Sequence, residues 1–296
     1  MKKKVVVVRI WEGLGNQLFQ YAYARSLQEK GKYRVYLECR RVYKEYLSKE
    51  DLSVERKCQL QYFNVSLKAV DFEKYFDWDF MKQNTLVKKV KFWLAFHKIG
   101  PKHYVSDFTK KADHFQYHPE LYSFTAPTYV MGHFLNKQYF NDIRSILLKE
   151  LRLKVPPRIS KSLERLLISE NTVSVHIRRT DFIKRGYCIS SDQYYIDAIE
   201  YMRMYVENPK FLFFSDDIEW VKKRFESGHK GEYYFVSDGI LKDYEELAIM
   251  YQCRHNIIAN STFSFWGAWL NDNPEKIVVT PKSYAPTFIP DEWIRV

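Results

Sequence analysis

The sequence predicts an α/β protein with two domains, each built on a parallel sheet, and three observations support this. The chain has 296 residues, enough for two domains of ordinary size, and its 46% hydrophobic content can fill two cores. Its second half alternates short apolar runs with segments of helical spacing. Its first half opens with a strand, a glycine turn and a helix, the first unit of a doubly wound domain.

The first domain is predicted to cover residues 1–150, and its elements are clear only near its start. Residues 3–10 form a β-branched run that predicts a strand. Residues 16–30 have helical spacing, Gly31 stands where a helix C-cap belongs, and residues 34–39 predict the next strand. The pattern then weakens to about residue 130, with helices predicted over 71–81 and 85–97 and a connecting helix over 141–154.

The second domain is predicted to cover residues 151–296, and it shows regular alternation after the breaker Pro156-Pro157. Strands are predicted at 173–178, 211–215, 233–237, 256–260 and 276–280. Helices are predicted at 192–206, 218–227, 244–253 and 262–270. In such a sheet ligands bind at the carboxyl ends of the strands, and the polar residues of interest fall at those ends.

The net charge of +11 lies entirely in the first half, where 27 Lys and Arg oppose 16 Asp and Glu, whereas residues 151–296 hold 20 of each. A basic surface attracts nucleic acid, anionic lipid or a phosphorylated substrate, and its sign does not choose among them. Residues 85–97 mix lysines with large apolar side chains, which is typical of peripheral contact with an anionic membrane or of a core helix. The basic residues form no known reader of bases, so we expect no nucleic-acid partner.

The four cysteines lie far apart without zinc-site spacing, so we expect reduced thiols in a cytoplasmic protein. No secretory signal and no apolar run of about 18 residues is visible, so we expect a cytoplasmic location, either free or at the inner face of the membrane. Metal ligation by Asp77 and Asp79, or by Asp216 and Asp217, is a competing hypothesis that predicts loss of activity in chelator.

Residues 174–181, Ser-Val-His-Ile-Arg-Arg-Thr-Asp, predict a buried strand that ends in two arginines. A guanidinium group matches phosphate oxygens and keeps its charge, so a diphosphate is the expected ligand. Alternation places His176 and Arg178 on one face, and Arg179 with Asp181 on the other. One arginine can then reach a ligand while the other pairs with a carboxylate such as Asp181. A surface ion pair is the alternative.

Gly13 and Gly15 follow the first strand and allow a ligand to approach the first amides of the next helix. Leu18 occupies the third glycine position of a dinucleotide fingerprint, so that fold signature is excluded. Asn16 and Gln17 offer neutral amides to a sugar or phosphate. A plain tight turn is the alternative interpretation.

Two further strand ends carry candidate residues. Of Asp216 and Asp217, one is expected to cap the helix that starts at Ile218, and the other to accept hydrogen bonds from a guanine edge or a ribose hydroxyl. Ser261 and Thr262 open a helix directly after a strand, where exposed amides and hydroxyls favour an anion.

Three motifs together resemble the bacterial α-1,2-fucosyltransferases of glycosyltransferase family 11. They are Gly-Leu-Gly-Asn-Gln-Leu-Phe-Gln-Tyr-Ala (13–22), His-Ile-Arg-Arg-Thr-Asp (176–181) and Asn-Ser-Thr-Phe-Ser-Phe-Trp-Gly-Ala (260–268), in order across nearly the whole chain. The resemblance implies a GT-B-like α/β fold with two Rossmann-type domains facing a cleft, the first on the acceptor side and the second binding GDP-fucose. It also implies inverting, metal-independent transfer of L-fucose from GDP-β-L-fucose to the 2-hydroxyl of a terminal β-galactoside. No cofactor is expected beyond the donor substrate.

The expected partners are GDP-fucose and a galactose-containing oligosaccharide, of which a lipid-linked glycan is one form. The histidine–arginine motif is shared with fucosyltransferases of other linkages and reports the donor more directly than the linkage. A fucosyltransferase of another linkage and a metal-dependent sugar-nucleotide transferase are therefore the alternative functions.

The resemblance also assigns roles to residues of this chain. Arg178 would bind the β-phosphate and Asn16 would face the reacting centre; with Asp181 they are the catalytic candidates. Donor binding would use Gly13, Gly15, His176, Asp216, Asp217, Ser261 and Thr262. Glu12 stands where relatives more often have glycine, so the general base is left open between a local base such as Glu12 and the departing diphosphate itself.

Overall fold

The computed structural model describes residues 3–39, 57–70, 90, 103–106, 115–184, 190–225, 231–284 and 287–296. The chain divides into two compact units, residues 1–61 with 65–150 and residues 62–64 with 151–296. The described strands of each unit pair in parallel, so the predicted α/β class is confirmed.

The first unit has a four-stranded sheet with β1 at its centre. Its strands are β1 (Lys4–Arg9), β2 (Tyr33–Glu38), β3 (His103–Ser106) and β4 (Thr128–Met131), and its described α-helices are α1 (Leu14–Glu29) and α2 (Arg144–Glu150). Val6, Val7 and Val8 of β1 are fully buried, as suits a β-branched run in the middle of a parallel sheet.

The strand order of the first unit is β2-β1-β4-β3. The chain moves from β1 to one side and then returns on the other, so the order reverses between β1 and β4. A crevice forms outside the carboxyl ends of strands at such a reversal, and residues 10–13 and 132–134 occupy that edge.

The second unit has a six-stranded sheet. Its strands are β5 (Thr172–Ile177), β6 (Lys210–Ser215), β7 (Tyr233–Phe235), β8 (His255–Ile257), β9 (Val278–Thr280) and β10 (Ile294–Arg295). Its described helices are α3 (Lys161–Ser169), α4 (Thr180–Lys184), α5 (Asp192–Tyr205), α6 (Ile218–Phe225), α7 (Asp243–Gln252) and α8 (Thr262–Trp269). The order β10-β9-β8-β5-β6-β7 reverses between β5 and β8.

The predicted elements agree with the observed ones to within about three residues in most cases. The predicted helix over 141–154 is a 3₁₀ turn at Asn141–Ile143 followed by α2, which ends at Glu150. Strands β3, β4 and β10 and helices α3 and α4 were not predicted. The helices predicted over 71–81 and 85–97 lie outside the described residues, apart from Val90. Within the described chain, each helix is too short or too polar to cross a bilayer.

Candidate active site

Two arginines follow the strand β5, as predicted, and β5 lies at the reversal of the second sheet. The Arg178 side chain is 24% exposed, and its Nε lies 3.4 Å from Asp216 Oδ2. Asp216 comes from the end of the neighbouring strand β6, so two adjacent strand ends meet in this pair. The carboxylate orients the guanidinium and balances part of its charge.

Asp216 also holds the backbone that carries both arginines. Its Oδ1 accepts a hydrogen bond from Arg179 N at 2.9 Å, and its Oδ2 accepts from Thr180 N at 3.1 Å and from Thr180 Oγ1 at 2.5 Å. One carboxylate therefore fixes the turn after β5. Its predicted role in binding guanine or ribose stays a prediction.

Arg179 is tied back to the protein. Its guanidinium lies 3.5 Å from the centroid of the Trp220 ring, and its Nε is 3.4 Å from Asp217 Oδ2. Asp217 Oδ1 accepts from Trp220 N at 3.3 Å in the first turn of α6, so Asp217 is the predicted helix-capping aspartate. The carboxylate beside Arg179 is thus Asp217; the side chain of Asp181 lies outside the described residues.

His176 is buried and joins β5 to α8. Its Nδ1 lies 2.8 Å from Ser264 Oγ, which also accepts a hydrogen bond from Ala259 N at 2.9 Å. Burial lowers the pKa of His176 to about 3, and the charge of Arg178 adds to this shift. The ring is therefore neutral at pH 7, and through Ser264 it connects β5 to the loop before α8. Its predicted contact with guanosine stays a prediction.

Ser261 and Thr262 stand at the start of the helix that follows β8, as predicted. Ser261 is the N-cap residue, its amide donates to Ala259 O at 2.8 Å, and its carbonyl accepts from Phe265 N at 3.0 Å. The Ser261 side chain makes no capping hydrogen bond to the amides of the first turn. These amides lie at the end of the strand next to β5, where the helix dipole favours an anion.

Burial raises the pKa of Glu246, on α7, to about 7. A hydrogen bond with Ser237 lowers this pKa, whereas the charges of Asp243, Asp238 and Asp216 raise it. The carboxyl is therefore partly protonated near neutral pH, beside the strand ends that carry Asp216 and Ser237.

The edge of the first sheet holds a different cluster, formed by Glu12, His133 and Asn16. His133 Nε2 lies 2.8 Å from Glu12 Oε2, and Asn16 Nδ2 donates to the same oxygen. The Trp11 ring stacks on the imidazole with centroids 5.1 Å apart and an interplanar angle of 19°. Residues from the ends of β1 and β4 and from the first turn of α1 thus converge on one carboxylate oxygen.

Gln17 does not offer its amide to a ligand in the manner that the sequence suggested. It is buried, its Nε2 donates to Glu12 O at 2.8 Å and to Lys57 O at 3.1 Å, and its Oε1 accepts from Gln59 N at 2.9 Å. Gln17 therefore fixes the backbone that carries Glu12.

The two glycines lie where the sequence predicted the glycine turn. Gly13 is the N-cap of α1 and accepts from Asn16 N at 3.0 Å, and Gly15 is buried in the first turn. Both lie in the first unit, and their predicted donor contacts stay predictions.

Sequence reasoning missed His133, Ser264, Trp220 and Glu246 as contributors to these two edges. The position of His133, two residues beyond a four-residue strand, was a usable indication, but β4 itself was not predicted. Ser264 lies inside the third motif, residues 260–268, but no sequence pattern shows the hydrogen bonds that it makes. The described part of the chain contains no cluster of three or more His, Cys, Asp or Glu side chains that could hold a metal ion.

Two known proteins are similar to this chain in sequence. The chain is 30% identical over 318 residues to an "Alpha-1,2-colitosyltransferase" of Escherichia coli, covering 99% of each chain. It is 31% identical over 105 residues to "Galactoside alpha-(1,2)-fucosyltransferase 1" of Leontocebus fuscicollis, covering 33% of this chain and 28% of that one.

A solved structure confirms the GT-B-like fold class. The Arabidopsis thaliana protein FUT1, solved with GDP, superposes with a TM-score of 0.54 at 12% identity, covering 98% of this chain and 72% of that one. The family model "Glycosyl transferase family 11" matches residues 5–294. A match over nearly the whole chain, with the motifs at both sheet reversals, shows that this protein belongs to glycosyltransferase family 11.

Proposed function

We propose that this chain transfers L-fucose from GDP-β-L-fucose to the 2-hydroxyl of a terminal β-galactoside, with inversion at C1. The acceptor oxygen bonds to C1 of fucose while the bond from C1 to the β-phosphate oxygen breaks, and GDP leaves with the electron pair. Attack opposite the leaving group turns the β-linked donor into an α-linked product. The second unit binds the donor and the first unit binds the acceptor.

One observation carries the proposal, the placement of Arg178 at the reversal of the second sheet. Charge builds on the diphosphate as the C1–O bond breaks, and a positioned cation is most effective on that group. Asp216 orients Arg178 at 3.4 Å, and the first turn of α8 follows the neighbouring strand. A guanidinium beside helix amides is the combination that holds a diphosphate.

The names of the relatives support the linkage. The Escherichia coli relative is an α-1,2-colitosyltransferase and the Leontocebus relative an α-1,2-fucosyltransferase that acts on galactosides, so both make 1,2 linkages. Colitose is L-fucose without its 3-hydroxyl, so the two sugars differ by a single donor substituent. Colitosyl transfer is therefore the second candidate function, favoured by the 99% coverage of the colitosyltransferase.

The acceptor side carries the excess positive charge of residues 1–150. This charge supports a glycan acceptor linked to a lipid diphosphate and peripheral contact with an anionic membrane. Sedimentation with vesicles of neutral lipid, and of neutral plus anionic lipid, at low and high salt tests this. We expect binding only to the anionic vesicles at low salt, and binding independent of anionic lipid would contradict it.

The function is tested by incubating the protein with GDP-fucose or GDP-colitose and a panel of α- and β-galactosides, followed by linkage analysis. We expect a 1,2-linked fucoside of the β-galactosides, with kcat/KM for GDP-fucose above that for GDP-colitose. A preference for GDP-colitose selects the second candidate, and a product of another linkage rejects the assigned hydroxyl.

Since the proposal is metal-independent, EDTA should leave the rate within about twofold; loss of activity that Mg²⁺ or Mn²⁺ restores would favour the metal-dependent alternative.

A further inference from the structure

Glu12 has an unusual backbone conformation for its residue type. Its φ is 65°, and the described residues contain two other non-glycine residues with positive φ, Phe134 and Asn208. Glycine adopts this region without strain, whereas a residue with a Cβ does so at a conformational cost. Such outliers persist only where the surrounding structure holds them in place, and they cluster at active sites.

Phe134, the second outlier, follows His133 directly and has a φ of 55°. Its ring is fully buried and stacks on Tyr23 with centroids 3.9 Å apart. The two left-handed residues thus lie on the two strand ends that bring Glu12 and His133 together. The hydrogen bonds of Gln17 to Glu12 O and Lys57 O hold the other side of the turn.

The contacts of Glu12 suit an ionised carboxylate, which only accepts hydrogen bonds. Asn16 Nδ2 donates to Glu12 Oε2, and His133 Nε2, 2.8 Å from the same oxygen, donates to it in the tautomer that carries hydrogen on Nε2. Donated hydrogen bonds stabilise the ionised form of a carboxylate and fix its direction. The Glu12 side chain is nevertheless 36% exposed, against 15% for His133, so the carboxylate is accessible at the sheet edge.

Two charged side chains of the described residues lie buried beneath this edge. Arg9 and Glu38 are opposite each other in the register of β1 and β2 and are 0% and 3% exposed. Arg9 also lies under the Trp11 ring, 5.7 Å from its centroid. Glu12 is therefore the acidic group of the described cluster that a substrate can reach.

We infer that Glu12 contacts the acceptor hydroxyl and takes its proton, with His133 and Asn16 as positioning residues. This inference rests on the proposed function. The proton passes from the acceptor oxygen to the Glu12 carboxylate as that oxygen bonds to the donor sugar's C1, and the electron pair of the C1–O bond leaves with GDP. A carboxylate held by two donors suits this role because its direction is set before the acceptor arrives.

The test compares Glu12→Gln and Glu12→Gly with the wild-type protein. Glutamine keeps the size of the side chain but cannot accept the proton, and glycine suits a φ of 65° and leaves room for a small anion. We expect kcat to fall by about 10²-fold or more in both variants. Affinity for GDP, measured by calorimetry, should stay within about twofold, because the donor contacts are unchanged.

Two signatures separate a base from a structural residue. The wild-type rate should fall at low pH as the base becomes protonated, and Glu12→Gln should lose that limb of the profile. Formate or azide should raise the rate of Glu12→Gly about tenfold or more, with no effect on the wild-type protein, because a small base replaces the missing carboxylate. His133→Ala should lower kcat less than Glu12→Gln does, because the base is then misdirected but present.

Glu29→Gln is the matched control, since Glu29 is an exposed glutamate of the same unit that pairs with Arg25, and its kcat should be unchanged. Equal melting temperatures exclude misfolding as the cause of any loss. If Glu12→Gln keeps a kcat within about threefold of wild type, the inference is wrong and the diphosphate itself takes the proton. If the wild-type protein makes no glycoside from either GDP-sugar, the proposed function and this inference both fall, a result distinguishable from the first.

Discussion

The reversal edges of the two sheets share a topology but differ in chemistry. In the first unit a carboxylate, Glu12, accepts hydrogen bonds from His133 and Asn16. In the second unit the arrangement is inverted, because the cations Arg178 and Arg179 project from the strand end and Asp216 and Asp217 hold them. The topology of a parallel sheet thus decides where polar groups collect. The residues directly after the central strand, Glu12 after β1 and Arg178 after β5, decide whether that edge attracts a proton or an anion.

The largest effect is expected from replacing Arg178, the cation of the second edge. In Arg178→Lys we expect kcat to fall about 10²- to 10³-fold, because a point charge cannot reproduce the two-pronged contact with a diphosphate. The measurement is kcat with GDP-fucose, or with GDP-colitose if that is the donor used. Arg203→Lys is the matched control. Arg203 pairs with Glu232 at a distance of 3.0 Å, beside the amino end of β7 and not at the carboxyl ends of the strands, so its kcat should be unchanged. A near-normal kcat for Arg178→Lys would remove Arg178 from the transition state.

The next test separates the two arginines of the second edge through their carboxylates. Asp216 supports Arg178, Arg179 N and Thr180, so Asp216→Asn should lower kcat/KM about 10- to 100-fold through loss of hydrogen bonds to a charged acceptor. Asp217→Asn should cost less than about fivefold, because Arg179 keeps its stacking on Trp220. Equal losses in the two variants would show that both arginines serve the donor in the same way.

The second unit was the easier one to predict, for a physical reason. Its strands are apolar runs flanked by helices of clear spacing, so Val175, Phe213 and Ile257 all fell in predicted strands, and all are fully buried. Arg178, Asp216 and Ser261 were found as candidates because each follows such a run. Helix α3 was missed although Ser160 caps it and accepts from Leu163 N at 3.2 Å, because no strand pattern directs attention to residues 161–169.

The first edge could not be assembled from the sequence. Glu12 and His133 are 121 positions apart, and their contact depends on the pairing of β1 with β4, a strand of four residues that the pattern does not reveal. The sequence also assigned Gln17 to a ligand, whereas the fold uses its amide for Glu12, Lys57 and Gln59. Long-range pairing carries information that local periodicity does not contain.

A smaller effect, on stability, tests how the second edge is held. Ser264 is fully buried and bridges Ala259 N and His176 Nδ1, so Ser264→Ala should lower the free energy of unfolding by about 1–3 kcal/mol. Ser169→Ala, at an exposed helix end, should change it by less than about 0.5 kcal/mol. Denaturant titration of both variants measures the difference, and equal values would mean that the bridge does not hold the two loops.

The smallest expected effect concerns the protonation of Glu246. Its folded-state pKa, about 7, lies above the ordinary value of 4.5, so the protonated carboxyl adds stability below pH 4.5, and this stability is lost as the pH rises through 7. Glu246→Gln should therefore exceed the wild-type free energy of unfolding at pH 8 by on the order of 1–2 kcal/mol, after allowance for partial exposure. The gap should close as the pH is lowered toward 4.5.

His176 titrates in the opposite sense, but its contribution does not disturb the comparison of Glu246→Gln with the wild-type protein. The pKa of His176 falls from 6.5 to about 3 on folding, so its contribution is present above pH 6.5 and is lost as the pH falls toward 3. It acts equally on both proteins and cancels in their difference. Denaturant titrations at several pH values between 4.5 and 8 give that difference directly. A gap independent of pH would show that Glu246 stays ionised in the fold, so that the second edge, like the first, would carry an ionised glutamate.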